Sequence, residues 1–569
     1  MNRKGNLAAA VGLLIVLTGG IVFAILSRNS LLGENWEFPV PPPSAPEEQA
    51  VEEQAVILLD GDRVSVSGAG ASVSEEVLTI HRGGAYSISG LWEKGRIVVD
   101  AGDKDTVILS LRGVKISHPS EAVIQVENAG HTRLVLEGDT LNRLQSGEER
   151  ALPAAGEGDA SGAAVYAKGD LSITGSGVLQ VLGYLNNGIH TARRLTVESG
   201  ELNVVAANNA LKGKESVTVS GGSLSLLAGG DGIQSDGTEK EDWGAVSISD
   251  GNFVIQSGGD GIQAETRLEI TGGVFAITAG GEGIAPLISS GEAGRDREGL
   301  PSAKGLKSGG EIRISEGSLG IDSLEDALHA GDDLRILGGS FTINTADKGV
   351  HAGSQLIVGG GALRIARSYE GLEGGQVAIN GGELSIVSTE DGINASGGPS
   401  GNGAGKLPAL RITGGEVTVN AGGDGLDSNG DLFIEGGLVI LDGPEGEKDR
   451  AIDFGKENGG VCKISGGILL ALDGSASMAD LDPCFSQRFL RRSFPSPIPA
   501  GSAVRILDGA GQPLLEYTSS KPVSSVAFSS PELVFWESYQ VTAGDQTAVV
   551  ETVAPASSGR WFPWRLPWE

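Results

Sequence analysis

Polar side chains recur in this sequence in one local context: a corner residue, a small residue, an aliphatic residue, then a second polar residue. Asp326-Ala-Leu-His329, Lys348-Gly-Val-His351, Glu370-Gly-Leu-Glu373, Asp391-Gly-Ile-Asn394, Asp424-Gly-Leu-Asp427 and Arg450-Ala-Ile-Asp453 all follow it. The residue before the corner adds Glu325, Asp347, Tyr369, Glu390 and Asp449. Carboxylates stacked on one another repel unless a cation neutralises them, and calcium takes about six to eight oxygens from carboxylates, amides and carbonyls. Glu325, Asp326, Asp347, Glu370, Glu373, Glu390, Asp391, Asp424, Asp427 and Asp453 are therefore candidate calcium ligands. The competing reading is a solvated acidic stripe that keeps an extended fold soluble. Asp-Gly alone is common in turns, so the paired acids Glu325-Asp326 and Glu390-Asp391 carry more weight.

Three histidines, His190, His329 and His351, share the second polar position. A zinc site needs three or four clustered ligands and partners that orient them. Two histidines among oxygens read instead as hydrogen-bond partners for a sugar or a carboxylate. His329, His351, Asn394 and Tyr369, a rare aromatic among the repeats, are the candidate carbohydrate contacts. Catalysis has one candidate, Lys348, as the base of a cation-assisted polysaccharide lyase that removes a metal-acidified sugar proton. A lysine among carboxylates is held protonated, which opposes that role. The alternative is that Lys348 fills a vacant metal position with its own charge. Neither His-Glu-x-x-His nor a phosphate-binding loop occurs.

The elements that position these residues are repeats. Leu334-Arg-Ile-Leu-Gly-Gly-Ser-Phe-Thr-Ile-Asn344 and Leu410-Arg-Ile-Thr-Gly-Gly-Glu-Val-Thr-Val-Asn420 share one pattern: an alternating strand, Gly-Gly, a second alternating strand, then the corner. Gly-Gly pairs beginning at Gly338, Gly359, Gly381, Gly414, Gly436 and Gly466 set a period of about 22 residues with insertions. Alternation marks strands with one buried face, and one repeat cannot bury that face alone. Stacked coils can, so the fold expected is all-β: a parallel β-helix, a solenoid of about 22-residue coils. From N to C its corner column reads Asn187, Asn209, Asp231, Asp260, Glu282, Lys304, Asp326, Lys348, Glu370, Asp391, Asp424 and Arg450. The second column reads His190, Lys212, Gln234, Gln263, Lys307, His329, His351, Glu373, Asn394, Asp427 and Asp453.

Charge and composition narrow the partners. With 42 Lys+Arg against 73 Asp+Glu, the net charge is −31, which excludes the basic footprint that nucleic acid requires. An anionic polysaccharide is repelled too, unless a cation lies between. Arg3 and Lys4 precede an uncharged stretch from Leu7 to Leu26, long enough at about 1.5 Å per residue to span a bilayer. This is a transmembrane or signal segment with its positive flank in the cytoplasm. A signal anchor fits better than a cleaved peptide, because Ser27-Arg28 is a poor cleavage neighbourhood. The expected organisation is an N-terminal segment over 1–33, a Pro/Glu-rich linker over 34–55, the β-helix over 56–490, a β cap over 491–555 and an aromatic tail over 556–569. Cys462 and Cys484 either pair or remain inert thiols.

At its corners the sequence resembles the bacterial carbohydrate-binding domain-containing proteins, a family related in fold to pectate lyases. The resemblance lies in Asp322-Ser-Leu-Glu-Asp-Ala-Leu-His329, Ser368-Tyr-Glu-Gly-Leu-Glu373, Thr389-Glu-Asp-Gly-Ile-Asn-Ala395 and Gly423-Asp-Gly-Leu-Asp-Ser-Asn-Gly430, and spans roughly residues 57–545. It implies a right-handed parallel β-helix at the cell surface, bound calcium, and recognition of plant cell-wall polysaccharide such as polygalacturonate. The chain departs from the family's Asp-Asp-Gly-Ile-His at Asp347-Lys-Gly-Val-His351, and carries Arg450 where a small amide is usual. The reading that follows is a non-catalytic, extracytoplasmic carbohydrate-binding protein, anchored by its N-terminal helix, with calcium as cofactor. Its rivals are a calcium-dependent pectate lyase using Lys348 and a structural or adhesive surface β-helix.

Overall fold

Period-two patterning decides the local structure. In Ser340–Thr345 the side chains of Phe341, Ile343 and Thr345 are buried while those between them face outward. A six-residue segment of this kind gains little as a lone strand and much when a copy stacks on each side. The computed structural model describes residues 53–148, 162–281, 301–397, 407–446, 448–475 and 477–554. The expected N-terminal segment over 1–33 and the aromatic tail lie outside the described residues, as does the expected linker up to residue 52. Among the described residues no helix is long and apolar enough to cross a membrane.

Each regular coil supplies a short, a middle and a long strand. One coil runs Leu306–Ser308, Glu311–Ile314 and Ser318–Ser323; the next runs Leu328–Ala330, Leu334–Ile336 and Ser340–Thr345. Every strand pairs in parallel with its counterpart one coil on, as in Leu306 with Leu328, Ile312 with Leu334 and Ser318 with Ser340. The result is a nearly all-β, β-helix-like solenoid with three parallel ladders. Inside it like residues meet like: Phe253 stacks on Phe275 with ring centroids 4.5 Å apart, and Leu319 and Phe341 continue the column.

Glycine pairs make the turn between middle and long strands for two separate reasons. The first glycine lies against the preceding coil: a Cβ on Gly338 would sit 2.3 Å from the Ser315 carbonyl oxygen, and one on Gly436 2.2 Å from that of Thr413. The second adopts a φ closed to most side chains, +92° at Gly339 and +85° at Gly437. In Gly359-Gly360-Gly361 the positive φ falls on Gly361, so the working pair there begins one residue later than the sequence suggests.

The coil count is corrected at one place. The Gly261 amide donates to the Lys304 carbonyl at 2.8 Å, so the corner column passes directly from Asp260 to Lys304. Glu282, whose acidic-Gly-Ile sequence resembles a corner, lies outside the described residues, between Val274–Ala279 and Leu306–Ser308.

Both ends of the stack meet antiparallel strands, which stop further parallel addition. At the start, Arg63–Gly68 folds back on Glu53–Asp60. At the finish, Val523–Ser529 runs antiparallel to Cys462–Asp473 and to Phe489–Ile498. A four-stranded antiparallel sheet of Ala503–Leu507, Pro513–Thr518, Ser538–Ala543 and Gln546–Glu551 completes this end. Cys462 and Cys484 are bonded, with Cα atoms 4.9 Å apart, tying the last coil to the 3-10 turn Ala479–Cys484. Asp442, 1% exposed, fastens the cap by accepting from Ser519 Oγ at 2.7 Å and from Ser520 N and Oγ at 2.8 and 2.7 Å. Asp442→Ala removes three hydrogen bonds to a buried carboxylate and should cost about 2 kcal/mol. Limited proteolysis should then cut near Ser519 to Lys521 before any coil is attacked.

Candidate cation and glycan site

The corner lies where the long strand of one coil turns into the short strand of the next. Inward hydroxyls hold its backbone: Ser257 Oγ donates to the Gly259 carbonyl at 3.0 Å, Ser323 Oγ to that of Glu325 at 2.7 Å and Ser388 Oγ to that of Glu390 at 3.0 Å. The following residues then stack in register. Lys307 pairs with His329, His329 with His351, His351 with Glu373, Glu373 with Asn394 and Asn394 with Asp427. A bridge from Leu426 to Ile452 places Asp453 next.

Sequence reasoning missed a second role for the corner residues. Asn187 Oδ1 accepts the Asn209 amide at 3.1 Å, Asn209 Oδ1 the Asp231 amide at 2.7 Å, and Asp231 Oδ1 the Asp260 amide at 2.8 Å. Asp260 Oδ1 does the same for Lys304 at 2.8 Å, Asp326 for Lys348 at 3.1 Å and Asp391 for Asp424 at 2.8 Å. Each short Asp or Asn side chain thus caps the next coil's corner; an Asp keeps its second oxygen for other work, whereas Asn209 has its Nδ2 left, which donates to Gln234 at 2.8 Å. The signal was present in the replacement of Asn by Asp across the first four corners, since an amide oxygen accepts this bond as well as a carboxylate does.

The middle of the groove neutralises itself. Lys304 pairs with Glu325, Lys307 with Asp260 at 3.0 Å, and Lys348 with Asp347 at 3.3 Å and Glu373 at 3.6 Å. His329 Nδ1 meets Asp326 Oδ2 at 2.6 Å and His351 Nδ1 meets Glu373 Oε2 at 2.9 Å; a carboxylate accepts, so each Nδ1 carries the proton. The two imidazoles stack at 4.7 Å. Burial alone would raise the Asp326 and Glu373 carboxyls, yet the histidine hydrogen bonds and neighbouring cations outweigh it and hold both below the usual range. Burial alone would likewise lower the Lys348 ammonium, but Asp347, Asp326, Glu373 and Glu370 hold it charged, well above the ordinary lysine value. Those acidic neighbours favour the protonated form of Lys348, which opposes a role as base.

Beyond Lys348 the cations run short and the acids change character. Burial, then Glu373, pushes Glu370 up to about 7. Burial and then the neighbouring Asp391 and Asp453 push Asp424 and Asp427 up to about 7 as well. Asp391 is raised by burial and by Glu390. Asp424, Asp427 and Asp453 each bring a carboxylate oxygen within 4.8 Å of the others. Beside them Asn394 is 9% exposed and its Oδ1 has no hydrogen-bond partner; Glu370 Oε2 is also buried without one. Tyr369 stands between Asp347 and Glu390, its amide bonded to the Asp347 carbonyl at 2.8 Å and its carbonyl to the Glu390 amide at 2.9 Å. The structure therefore divides the candidate residues. Glu325, Asp326, Asp347 and Glu373 go to side-chain cations, while Asp424, Asp427 and Asp453 converge with Asp391 and Asn394 alongside.

The profile of a family described as carbohydrate-binding domain-containing proteins matches residues 74–349 and 346–467, and the chain belongs to that family. A protein of that description from Acetivibrio thermocellus is 34% identical over 155 residues, which are 27% of this chain and 53% of the relative. The chain thus spans about half the length of the curated relative it matches. A solved structure, described as the polysaccharide lyase-like protein from C. thermocellum in a gadolinium derivative, is 34% identical over 40% of this chain and 92% of its own, with a TM-score of 0.38.

Lys348→Asp tests the self-neutralised stretch. The variant removes a cation that faces Asp347, Asp326, Glu373 and Glu370 and adds an acid among them. The calcium-free protein should melt lower at pH 7, and calcium affinity by titration should rise. Unchanged calcium affinity would show that Lys348 does not stand in for a metal.

Proposed function

We propose that this protein is a non-catalytic, extracytoplasmic carbohydrate-binding protein, and that it holds acidic polysaccharide of the polygalacturonate type through calcium at the C-terminal end of its corner groove. The observation that carries the reading is the convergence of Asp424, Asp427 and Asp453 beside the orphaned Oδ1 of Asn394. An all-oxygen set of this kind suits a hard cation. Asp391 and Asp424 already give Oδ1 to corner amides, so each has its second oxygen to offer. Bound calcium would turn an acidic surface into an acceptor for uronate carboxylates. Asp453 also lines a depression of about 260 Å³, where Glu457, Asp473 and Asp480 add further acids beside Arg450 and Lys456. Membership of a carbohydrate-binding family supports the polysaccharide, and the N-terminal apolar stretch supports an anchor at the cell surface. A right-handed turn of the solenoid accords with the usual handedness of parallel crossovers. The acidic neighbours of Lys348 favour its charged form, which weighs against the lyase alternative.

The sign of the pH dependence follows from the raised carboxyls. Asp424 and Asp427 near 7 in the folded state bind protons that an unfolded Asp, near 3.9, has already released. Without calcium, stability is therefore greatest at low pH on their account and falls as pH rises from about 4 to about 7. Calcium should reverse that loss, raising the melting temperature more at pH 8 than at pH 5. The double variant Asp424→Asn/Asp427→Asn should lose most of the calcium response and flatten the pH dependence. Retention on immobilised polygalacturonate, with and without chelator, tests the glycan: calcium-dependent retention lost in the double variant supports the site. Calcium-independent retention would refute bridging, and unsaturated products absorbing in the ultraviolet would establish a lyase.

A further inference from the structure

The cap carries an apolar feature that the groove does not explain. Trp536 is 83% exposed and holds φ at +64°, a conformation that bulky side chains rarely adopt. Val534 is 50% and Phe535 41% exposed, and the Phe535 and Trp536 rings meet edge-on at 4.8 Å. The loop is firmly placed. Leu533 is buried beneath it, the Tyr539 hydroxyl accepts the Val534 amide at 2.8 Å, and Arg488 donates to the Leu533 carbonyl at 3.0 Å. A fixed, strained and exposed aromatic pair is costly to keep without a partner.

We propose that the partner is this chain's own C-terminal tail, docking in cis. Three observations single it out. The tail's root is already at the patch, for Thr552 Oγ1 donates to the Val534 carbonyl at 3.3 Å and Val553 bridges to Phe489. From Ala554 to Trp561 an extended chain reaches roughly 23 Å, enough to return over the loop. The chemistry is complementary: Trp561, Phe562, Trp564 and Trp568 are interleaved with Arg560 and Arg565, while exposed Glu532, Glu537 and Glu551 border the patch. The same acids disfavour an anionic lipid surface. Tethering favours cis over a second copy, since so short a linker gives an effective concentration near millimolar. Docked, the tail covers the aromatic end of the cap and prevents that end from seeking another molecule. This latch is independent of the cation site.

Amide hydrogen exchange on the full chain, and on the same chain ending at Ala554, tests it. Exchange at residues 535–537 should be roughly tenfold slower in the full chain. Trp561→Ser/Trp564→Ser and Glu532→Lys/Glu537→Lys should each remove most of that difference, and protection should not vary with protein concentration. Equal exchange in both chains overturns the proposal. So does protection that grows with concentration, which assigns the patch to a second copy. Protection that appears only with added phosphatidylglycerol vesicles or a neutral glucan overturns it as well, assigning the patch to that ligand. Because the cap strands stay intact in every variant, unchanged exchange in Ser538–Ala543 confirms that folding is not what changed.

Discussion

Along the regular ladders of this solenoid each residue lies over its counterpart one coil away, at a spacing of about 4.8 Å. That constraint governs the rest of the structure, because it rewards and punishes repetition at once. An apolar column gains with each coil, and the Phe253, Phe275, Leu319 and Phe341 column is one outcome. A charged column loses with each coil, because like charges cannot spread apart without breaking the backbone ladder. The chain must therefore solve one electrostatic problem repeatedly along the groove.

It does so in three ways, arranged from N to C. The early corners, Asn187 and Asn209, use neutral amides, which cap the next coil without adding charge. The middle coils interleave lysines and hydrogen-bonding histidines with acids, so that Lys304, Lys307, Lys348, His329 and His351 match Glu325, Asp260, Asp347, Asp326 and Glu373. The last coils leave Asp391, Asp424, Asp427 and Asp453 to one another. One end of the groove thus holds carboxyls pushed upward by burial and by one another.

The architecture was legible in the sequence because strand alternation and the glycine beat are both local properties that stacking simply repeats. Column membership was legible for the same reason: a fixed corner-to-strand offset puts His329 over His351 and Asn394 over Asp427 wherever coils are regular. Where a coil carries an insertion the offset misleads, as at Glu282, which has the right neighbours in sequence while the corner column passes directly from Asp260 to Lys304. Partner choice within the groove was not legible. Whether Glu373 serves a cation site or His351 and Lys348 depends on side-chain reach across coils, and the spacing of residues does not encode that. The dual use of Asp391, with one oxygen on the Asp424 amide, likewise depends on corner geometry that only the folded stack supplies.

That dual use also explains how a repeat protein can vary its charge without losing its fold. The cap on the next coil needs an oxygen on a short side chain, and Asn and Asp meet the need equally. Exchange between them then changes the groove's charge by one unit per coil while the ladder stays intact. Lys304 and Lys348 go further: they give up the corner acceptor and place a cation in the column instead. Each coil is thus a separate choice among neutral, acidic and basic corners on one backbone. The position of an acid-rich stretch is set by where consecutive coils choose acid. In this chain that run begins after Lys348 and is densest where Asp424, Asp427 and Asp453 meet, so the groove has a direction although its scaffold repeats.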